Sequence, residues 1–259
     1  MEFFKYQGTG NDFILVDNRR KEISLSREQI ERLCHRRFGI GADGLMLLNP
    51  HPELDFEMKY FNADGNPGSL CGNGSRCMIR FAHDLGIQKY QYVFLASDGP
   101  HKAELLPDSR ISLHMNDVDQ IKQTEPGLFM NTGSPHLVKF VETLNEVDVY
   151  TDGKKLRHHP SFAPGGTNVN FVERTTNPAY ILVRTFERGV EYETYSCGTG
   201  VTACALALAF TDQAARVTNI ETKGGPLTVS YETSDYIQFN NIRLIGPATR
   251  VFRGEISLT

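Results

Sequence analysis

Several classes of function are excluded by what this 259-residue chain has little of. Its longest apolar run, Val201 to Phe210, is far shorter than the roughly 20 residues a membrane-spanning helix needs. Charge of one sign is scarce. The formal net charge is −4 and Lys and Arg are scattered without a stripe, so neither nucleic acid nor an anionic membrane is expected as a partner. The opening Met1-Glu2-Phe3-Phe4-Lys5 carries an early acid and no apolar core, and no signal peptide is expected there. The cysteines are five, an odd number without an export signal, which points to free thiols in a reducing compartment, the cytoplasm by default. Cysteine pairs of metal or redox spacing are also missing. Cys71 and Cys77, and Cys197 and Cys204, lie too far apart in sequence for a Cys-x-x-Cys redox site or a structural zinc pair. The glycine-rich turns lack a following Gly-Lys-Ser/Thr and no Gly-x-Gly-x-x-Gly follows a strand, so phosphate-loop and dinucleotide cofactors are not expected.

What the chain does contain is one device used twice. Cys71-Gly-Asn-Gly-Ser-Arg-Cys77 and Cys197-Gly-Thr-Gly-Val-Thr-Ala-Cys204 each open on a cysteine, follow it with paired glycines and run into apolar, helix-forming sequence. A cysteine where a glycine turn enters a helix sits at the positive end of the helix dipole, among N–H groups without an intrahelical partner. That position favours a thiolate and a bound anion. Cys77, Cys204 and Cys34 fall along helices and read as core.

The two devices belong to a longer repeat. Gly10 and Gly133, Gly41 and Gly166, Asn62 and Glu187, and Cys71 and Cys197 are separated by 123, 125, 125 and 126 residues. Drift this small implies duplication of a domain rather than of a solenoid unit. The strand and helix signals fit that plan. Strands are expected at Phe3–Gln7, Phe13–Asp17, Leu45–Leu48, Asp55–Phe61, Tyr92–Ser97, Lys102–Leu106 and Arg110–Met115 in the first half. In the second they are expected at Tyr180–Phe186, Val217–Thr222, Leu227–Tyr231 and Tyr236–Phe239. A capping box at Ser26 and Gln29 starts a helix expected to stop near Gly39, and Tyr150–His159 is its weaker echo. The helix after Cys71 should end near Gly86. Val201–Phe210 is apolar on every face and so expected to be buried all round. The fold class is α/β (α+β), with two similar domains, residues 1–115 completed by 249–259, and 116–248. Each is expected to be a curved sheet around its cysteine-bearing helix, with a ligand site at the domain interface.

Two thiols on opposite sides of a carbon can remove a proton from one face and return one to the other. Coupling between them keeps one protonated. Backbone N–H groups of Gly72, Asn73, Gly198 and Thr199 would hold a carboxylate and stabilise the charge that develops as the α-proton leaves. Such chemistry needs no pyridoxal lysine.

Taken together, Gly8-Thr-Gly-Asn-Asp-Phe13, Gly39-Ile-Gly-Ala-Asp43, Phe61-Asn-Ala-Asp-Gly65, Cys71 to Arg76, Ser134-Pro-His136, Thr167-Asn168, Glu187-Arg-Gly189 and Cys197-Gly-Thr-Gly200 resemble the diaminopimelate epimerases over the whole chain. The resemblance implies a cofactor-independent amino-acid epimerase of lysine and peptidoglycan synthesis, with Cys71 and Cys197 as acid and base. It implies two pseudo-symmetric barrels around central helices, a final strand near Arg250–Leu258 returning to the first domain, and a homodimer. Asn11 and Asn73 would hold the reacting end of the substrate, Asn62, Asn168 and Arg188 the far carboxylate, and Glu187 the far ammonium. His136 and Glu187 would tune the thiols. Three departures accompany it. Ser134 stands where the family often has Asn, which loses one contact to the far carboxylate or leaves it to water. One extra residue lies between Glu187 and Cys197, to be absorbed in a Val190–Tyr195 loop or to shift the cleft. Gly44 replaces a polar residue. Other cofactor-free racemases or isomerases of this frame, and a non-catalytic amino-acid binding protein, are the competing readings.

Overall fold

The computed structural model describes residues 1–68, 70–213 and 216–258. In chain order the elements of the first half are β1 (Glu2–Gly8), β2 (Asn11–Asp17), α1 (Arg27–Cys34), β3 (Gly44–Asn49), β4 (Phe56–Asn62), α2 (Gly72–Asp84), β5 (Gln91–Ala96), β6 (Gly99–Leu105) and β7 (Ile111–His114). The second half has β8 (Lys122–Thr124), β9 (Gly127–Asn131), β10 (Pro135–Val141), α3 (Val149–Arg157), β11 (Asn168–Arg174), β12 (Tyr180–Glu187), β13 (Tyr192–Thr194), α4 (Gly198–Asp212), β14 (Val217–Thr222), β15 (Gly225–Glu232) and β16 (Asn240–Gly246), and the chain ends with β17 (Thr249–Glu255). Two compact units result, Met1–Leu113 with Gly246–Thr259, and His114–Ile245.

Strand pairing repeats between them. In the first unit β17, β1, β2, β3, β4, β5, β6 and β7 lie in that order, paired antiparallel, antiparallel, parallel, antiparallel, parallel, antiparallel and antiparallel. In the second unit β8, β9, β10, β11, β12, β14, β15 and β16 show the same succession. Parallel pairs need a crossover, and the same kinds of element supply it: α1 and α3 cross from the third strand to the fourth, α2 and α4 from the fifth to the sixth. The fold is therefore mixed α/β with two pseudo-symmetric units.

Each sheet is curved around one helix. The α4 helix touches β9, β10, β11, β12, β14 and β15, and α2 touches β17, β1, β2, β3 and β6. From Val201 to Ala209 every residue of α4 is buried, as an all-apolar helix requires. The outer helices cover the other face. Ile30, Leu33 and Cys34 of α1 pack with Phe3, Ile14, Val16, Leu45 and Leu47. Covered on both faces, β3 is buried along its whole length, and its sequence reads as a continuous apolar run instead of an alternating one.

Four local expectations give way. The first helix ends at Cys34, well before Gly39, because the chain folds back: Ile40 and Gly41 donate to the Leu33 carbonyl and tie the glycine loop to the last turn. Tyr236 to Gln238 form a turn, not a strand, and Phe239 makes only an isolated bridge to Val118. The Asp235 carboxylate accepts from the N–H groups of Ile237 and Gln238, and Thr233 Oγ1 from that of Tyr236, so those donors are lost to a ladder and β16 begins at Asn240. The Val190–Tyr195 loop contains β13, which hairpins onto β12. The short strands β8 and β9 and the strand β11 also escaped the strand signals.

Candidate active site

Both glycine-flanked cysteines are N-caps. Cys71 has extended backbone (φ −111°, ψ 115°) ahead of α2, and Cys197 (φ −125°, ψ 115°) stands the same way ahead of α4. Their carbonyls accept the first intrahelical bonds, from Ser75 at 2.7 Å and Val201 at 2.9 Å. Gly72 and Asn73, and Gly198 and Thr199, then occupy the first turn, where the helix itself offers no carbonyl to their N–H groups. The remaining cysteines are different in kind. Burial pushes the thiols of Cys34 and Cys77 up to about 12, and that of Cys204 upward as well, which makes them inert core residues.

Around Cys71 the first unit gathers amides. The Cys71 thiol donates to Asn11 Oδ1 at 3.6 Å and its sulfur accepts from the Gly74 N–H at 3.4 Å. Asn73 Nδ2 reaches the same Asn11 oxygen at 3.5 Å. The orientation of Asn11 is set from behind, since its Nδ2 donates to Asp43 Oδ2 at 2.6 Å and Asp43 is itself held by Arg36 at 2.7 Å. Asn73 is anchored by Arg76, whose fully buried guanidinium donates to its Oδ1 at 3.0 Å. Asn62 lies exposed at the end of β4.

Around Cys197 the second unit gathers a polar chain. His136, wholly buried at the start of β10, has Nε2 2.8 Å from Thr199 Oγ1 and 3.0 Å from Ser134 Oγ. Thr199 Oγ1 lies 3.5 Å from Cys197 Sγ. Burial, reinforced by the Arg188 charge, lowers the His136 pKa to about 3, so the imidazole is neutral. Asn168 donates to Pro135 O at 2.8 Å and Ser134 Oγ at 3.3 Å and accepts from the Arg188 N–H at 2.8 Å, which makes it the peg that fixes Arg188 at the end of β12. Arg188 is exposed and Glu187 half-buried. Ser134 thus has three protein partners where an Asn was expected to face ligand. The glycine at position 44 has a packing reason: a Cβ there would meet Tyr60 Cε2 at 2.5 Å and the Phe61 carbonyl at 2.6 Å.

Asp43, Arg76 and Asn170 are polar residues of these centres to which the sequence reading assigned no role. For Asn170 there was a signal. In Asn168-Val-Asn-Phe-Val172 the two amides recur with period two, so they share one face of β11, and Val172 on that face packs with α4. Two polar side chains on a core-facing stripe require partners.

A family model described as diaminopimelate epimerase matches residues 3–120 and 128–251. The chain is 45% identical to the diaminopimelate epimerase of Flavobacterium psychrophilum over 99% of its own length and 100% of the relative's. It is 42% identical to that of Chlorobaculum tepidum over 97% and 99%. Among solved structures, a phenazine biosynthesis protein of the PhzF family from Bacillus anthracis superposes with a TM-score of 0.79 at 15% identity, covering 99% of each chain, a likeness of fold. Matched along nearly its full length by both the family model and these relatives, the chain belongs to the diaminopimelate epimerase family.

Proposed function

We propose that the protein interconverts LL- and meso-2,6-diaminopimelate by proton transfer at one α-carbon, with Cys71 and Cys197 as the acid–base pair. The observation that carries the reading is the equivalence of the two thiols: each caps the N-terminus of the central helix of its own unit, at matching stations of a duplicated fold. One cysteine, as thiolate, takes the α-proton, and the other, as thiol, gives its proton to the opposite face. After one turnover the two have exchanged protonation states, so each stereoisomer is the substrate of one form. A helix N-terminus favours the thiolate, and the N–H groups of Gly72, Asn73, Gly198 and Thr199 would bind the α-carboxylate as negative charge builds on it.

The far amino-acid end of the substrate is assigned to Asn62, Arg188 and Glu187, with Asn168 setting the position of Arg188. An exposed guanidinium suits a carboxylate, which it can grip with two parallel bonds, and Glu187 suits an ammonium. A cytoplasmic homodimer without a cofactor and without nucleic-acid or membrane partners belongs to the same reading, supported by family membership and by the scattered charge. Among the described residues no helix is long and apolar enough to cross a membrane.

Proton NMR in D2O with LL-diaminopimelate under reducing conditions tests the reaction. The α-proton signal should vanish as the meso isomer appears, and Cys71→Ala and Cys197→Ala should each slow this by at least about a hundredfold, the lower end for loss of a general acid or base. An α-proton untouched by the wild type, or turnover surviving either substitution, overturns the proposal.

A further inference from the structure

The duplication makes one difference between the units conspicuous. Under the first turn of α2, Gly74 faces Phe13 of β2 and Met46 of β3: a Cβ on it would meet Met46 Cε at 2.0 Å and Phe13 Cζ at 3.4 Å. At the matching station of α4, Gly200 faces Asn170 of β11, whose Oδ1 a Cβ would meet at 2.4 Å. In β-sheet register the counterparts of Phe13 and Met46 are His136 and Asn170. The floor beneath Cys71 is therefore apolar, and the floor beneath Cys197 is a hydrogen-bonded pair. Both members are wholly buried.

Partner by partner, the direction of every bond in that pair is determined. The Leu137 carbonyl can only accept, and Asn170 approaches it at 2.9 Å, so it is the amide nitrogen that points there. The amide oxygen in turn accepts from the Thr185 hydroxyl at 3.0 Å. With the nitrogen so placed, its second hydrogen faces His136 Nδ1 at 3.1 Å, and Nδ1 must be the acceptor. A neutral imidazole whose Nδ1 accepts carries its proton on Nε2. That proton goes to Thr199 Oγ1 by the shorter of the two Nε2 contacts. The threonine hydroxyl, supplied with a donor on one side, has its own hydrogen left for Cys197 Sγ at 3.5 Å. Ser134, the other neighbour of Thr199, receives a hydrogen from Asn168 and can donate its own. Arg188 is the charged group acting on His136, and Cys204, farther along α4, is the titratable group facing Cys197 from its own helix.

We infer that Asn170 is a positioning residue: by fixing His136 as the Nε2–H tautomer it turns the Thr199 hydroxyl into a donor to Cys197 and stabilises that cysteine as the thiolate, by a device Cys71 does not share. The inference rests on the acid–base role of Cys197 proposed above, and it gives the two chemically identical thiols unequal environments. A two-base epimerase needs one thiolate and one thiol before substrate arrives. The polar floor under Cys197 is the bias on that side, set against the buried Arg76 charge that acts on Cys71.

Two measurements that need no turnover test it. In protein labelled with 15N-histidine, the long-range proton–nitrogen spectrum of His136, assigned with His136→Gln, should show the Nε2–H tautomer, and Asn170→Asp, which removes the donor, should abolish that pattern. In parallel, alkylation by iodoacetamide at pH 7 is followed at each cysteine by peptide mass spectrometry. Thr199→Val keeps the side-chain shape and should slow alkylation of Cys197 by roughly three- to tenfold through loss of thiolate, while Thr199→Ser keeps the rate and Cys71 in the same samples serves as reference. An Nδ1–H tautomer in the wild type, or unchanged Cys197 alkylation in Thr199→Val, overturns the inference. If both measurements hold while Cys197→Ala retains turnover, it is the two-thiol mechanism that fails.

Discussion

Arg76 is fully buried, and its hydrogen-bond acceptors, Thr9 Oγ1 at 3.2 Å, Asn73 Oδ1 at 3.0 Å, Gly72 O at 3.4 Å and Pro247 O at 3.3 Å, are all neutral. Burial lowers its pKa to about 10, offset in part by the neighbouring Cys77 and Cys71. Taking a charge out of water costs several kcal/mol even after relaxation, and the four bonds return a comparable amount, so the charge itself adds little net stability. Its use is to hold Asn73 beside Cys71. Arg76→Met, which keeps the volume, should shift unfolding free energy by less than about 2 kcal/mol. Arg76→Ala also opens a cavity and should cost about 3–5 kcal/mol. Urea denaturation of both variants separates the two effects; equal losses would contradict this account. Little of this was legible in advance. Cys71 and Cys197 stood out because the cap position and paired glycines are local signals, whereas Thr9 and Pro247 beside Arg76, Asn11 beside Asp43, and His136, Leu137 and Thr185 beside Asn170 come from elements farther away in sequence. Only the folded pairing reveals which buried polar group meets which.

At the scale of elements, local chemistry was legible wherever it alone decides the structure. The capping box at Ser26 is present with both reciprocal bonds, and the all-apolar stretch of α4 is buried. It failed where a tertiary contact overrides it, as when the loop after Cys34 folds back onto its own helix. Gly200 shows that conflict within one residue. Alanine in place of glycine normally favours a helix by up to about 1 kcal/mol. Here the added methyl would lie 2.4 Å from Asn170 Oδ1, on an amide held at both ends by Leu137 and Thr185. The clash outweighs propensity, and Gly200→Ala should lower the melting temperature. Gly200→Ala and Asn170→Ala combined should cost less than the sum of the two single losses, because two residues in contact are not additive. Strict additivity in that double-mutant cycle would show that the two do not meet.

For the whole molecule, the near-constant offsets announced a duplication, and the repeated succession of parallel and antiparallel pairs gives it a physical form. What the offsets could not reveal is that matching stations carry different chemistry, since Phe13 and His136 satisfy the same burial with opposite polarity. That difference reaches the stability of the protein as a function of pH. Unfolded, His136 takes up a proton near its ordinary pKa of about 6.5; folded, it resists protonation down to about 3. Between those values the unfolded chain binds more protons, so this group's contribution to stability is intact above about 6.5 and is lost as pH falls toward 3. Asp12 acts in the same direction over a lower range. Burial would raise its pKa, but hydrogen bonds from Arg36 and Lys5 outweigh that and bring it to about 2, so its contribution is lost only on acidification below the usual carboxylate range. Acid opens the first window long before the second. From pH 7 to pH 5, His136 alone should remove up to about 2 kcal/mol. The urea midpoint of the wild type should therefore fall over that interval, and His136→Gln, less stable at pH 7, should show a flatter profile. Parallel profiles for the two proteins would mean that folding leaves the protonation of His136 unchanged, and the burial that keeps the imidazole of the Cys197 chain neutral would be wrong.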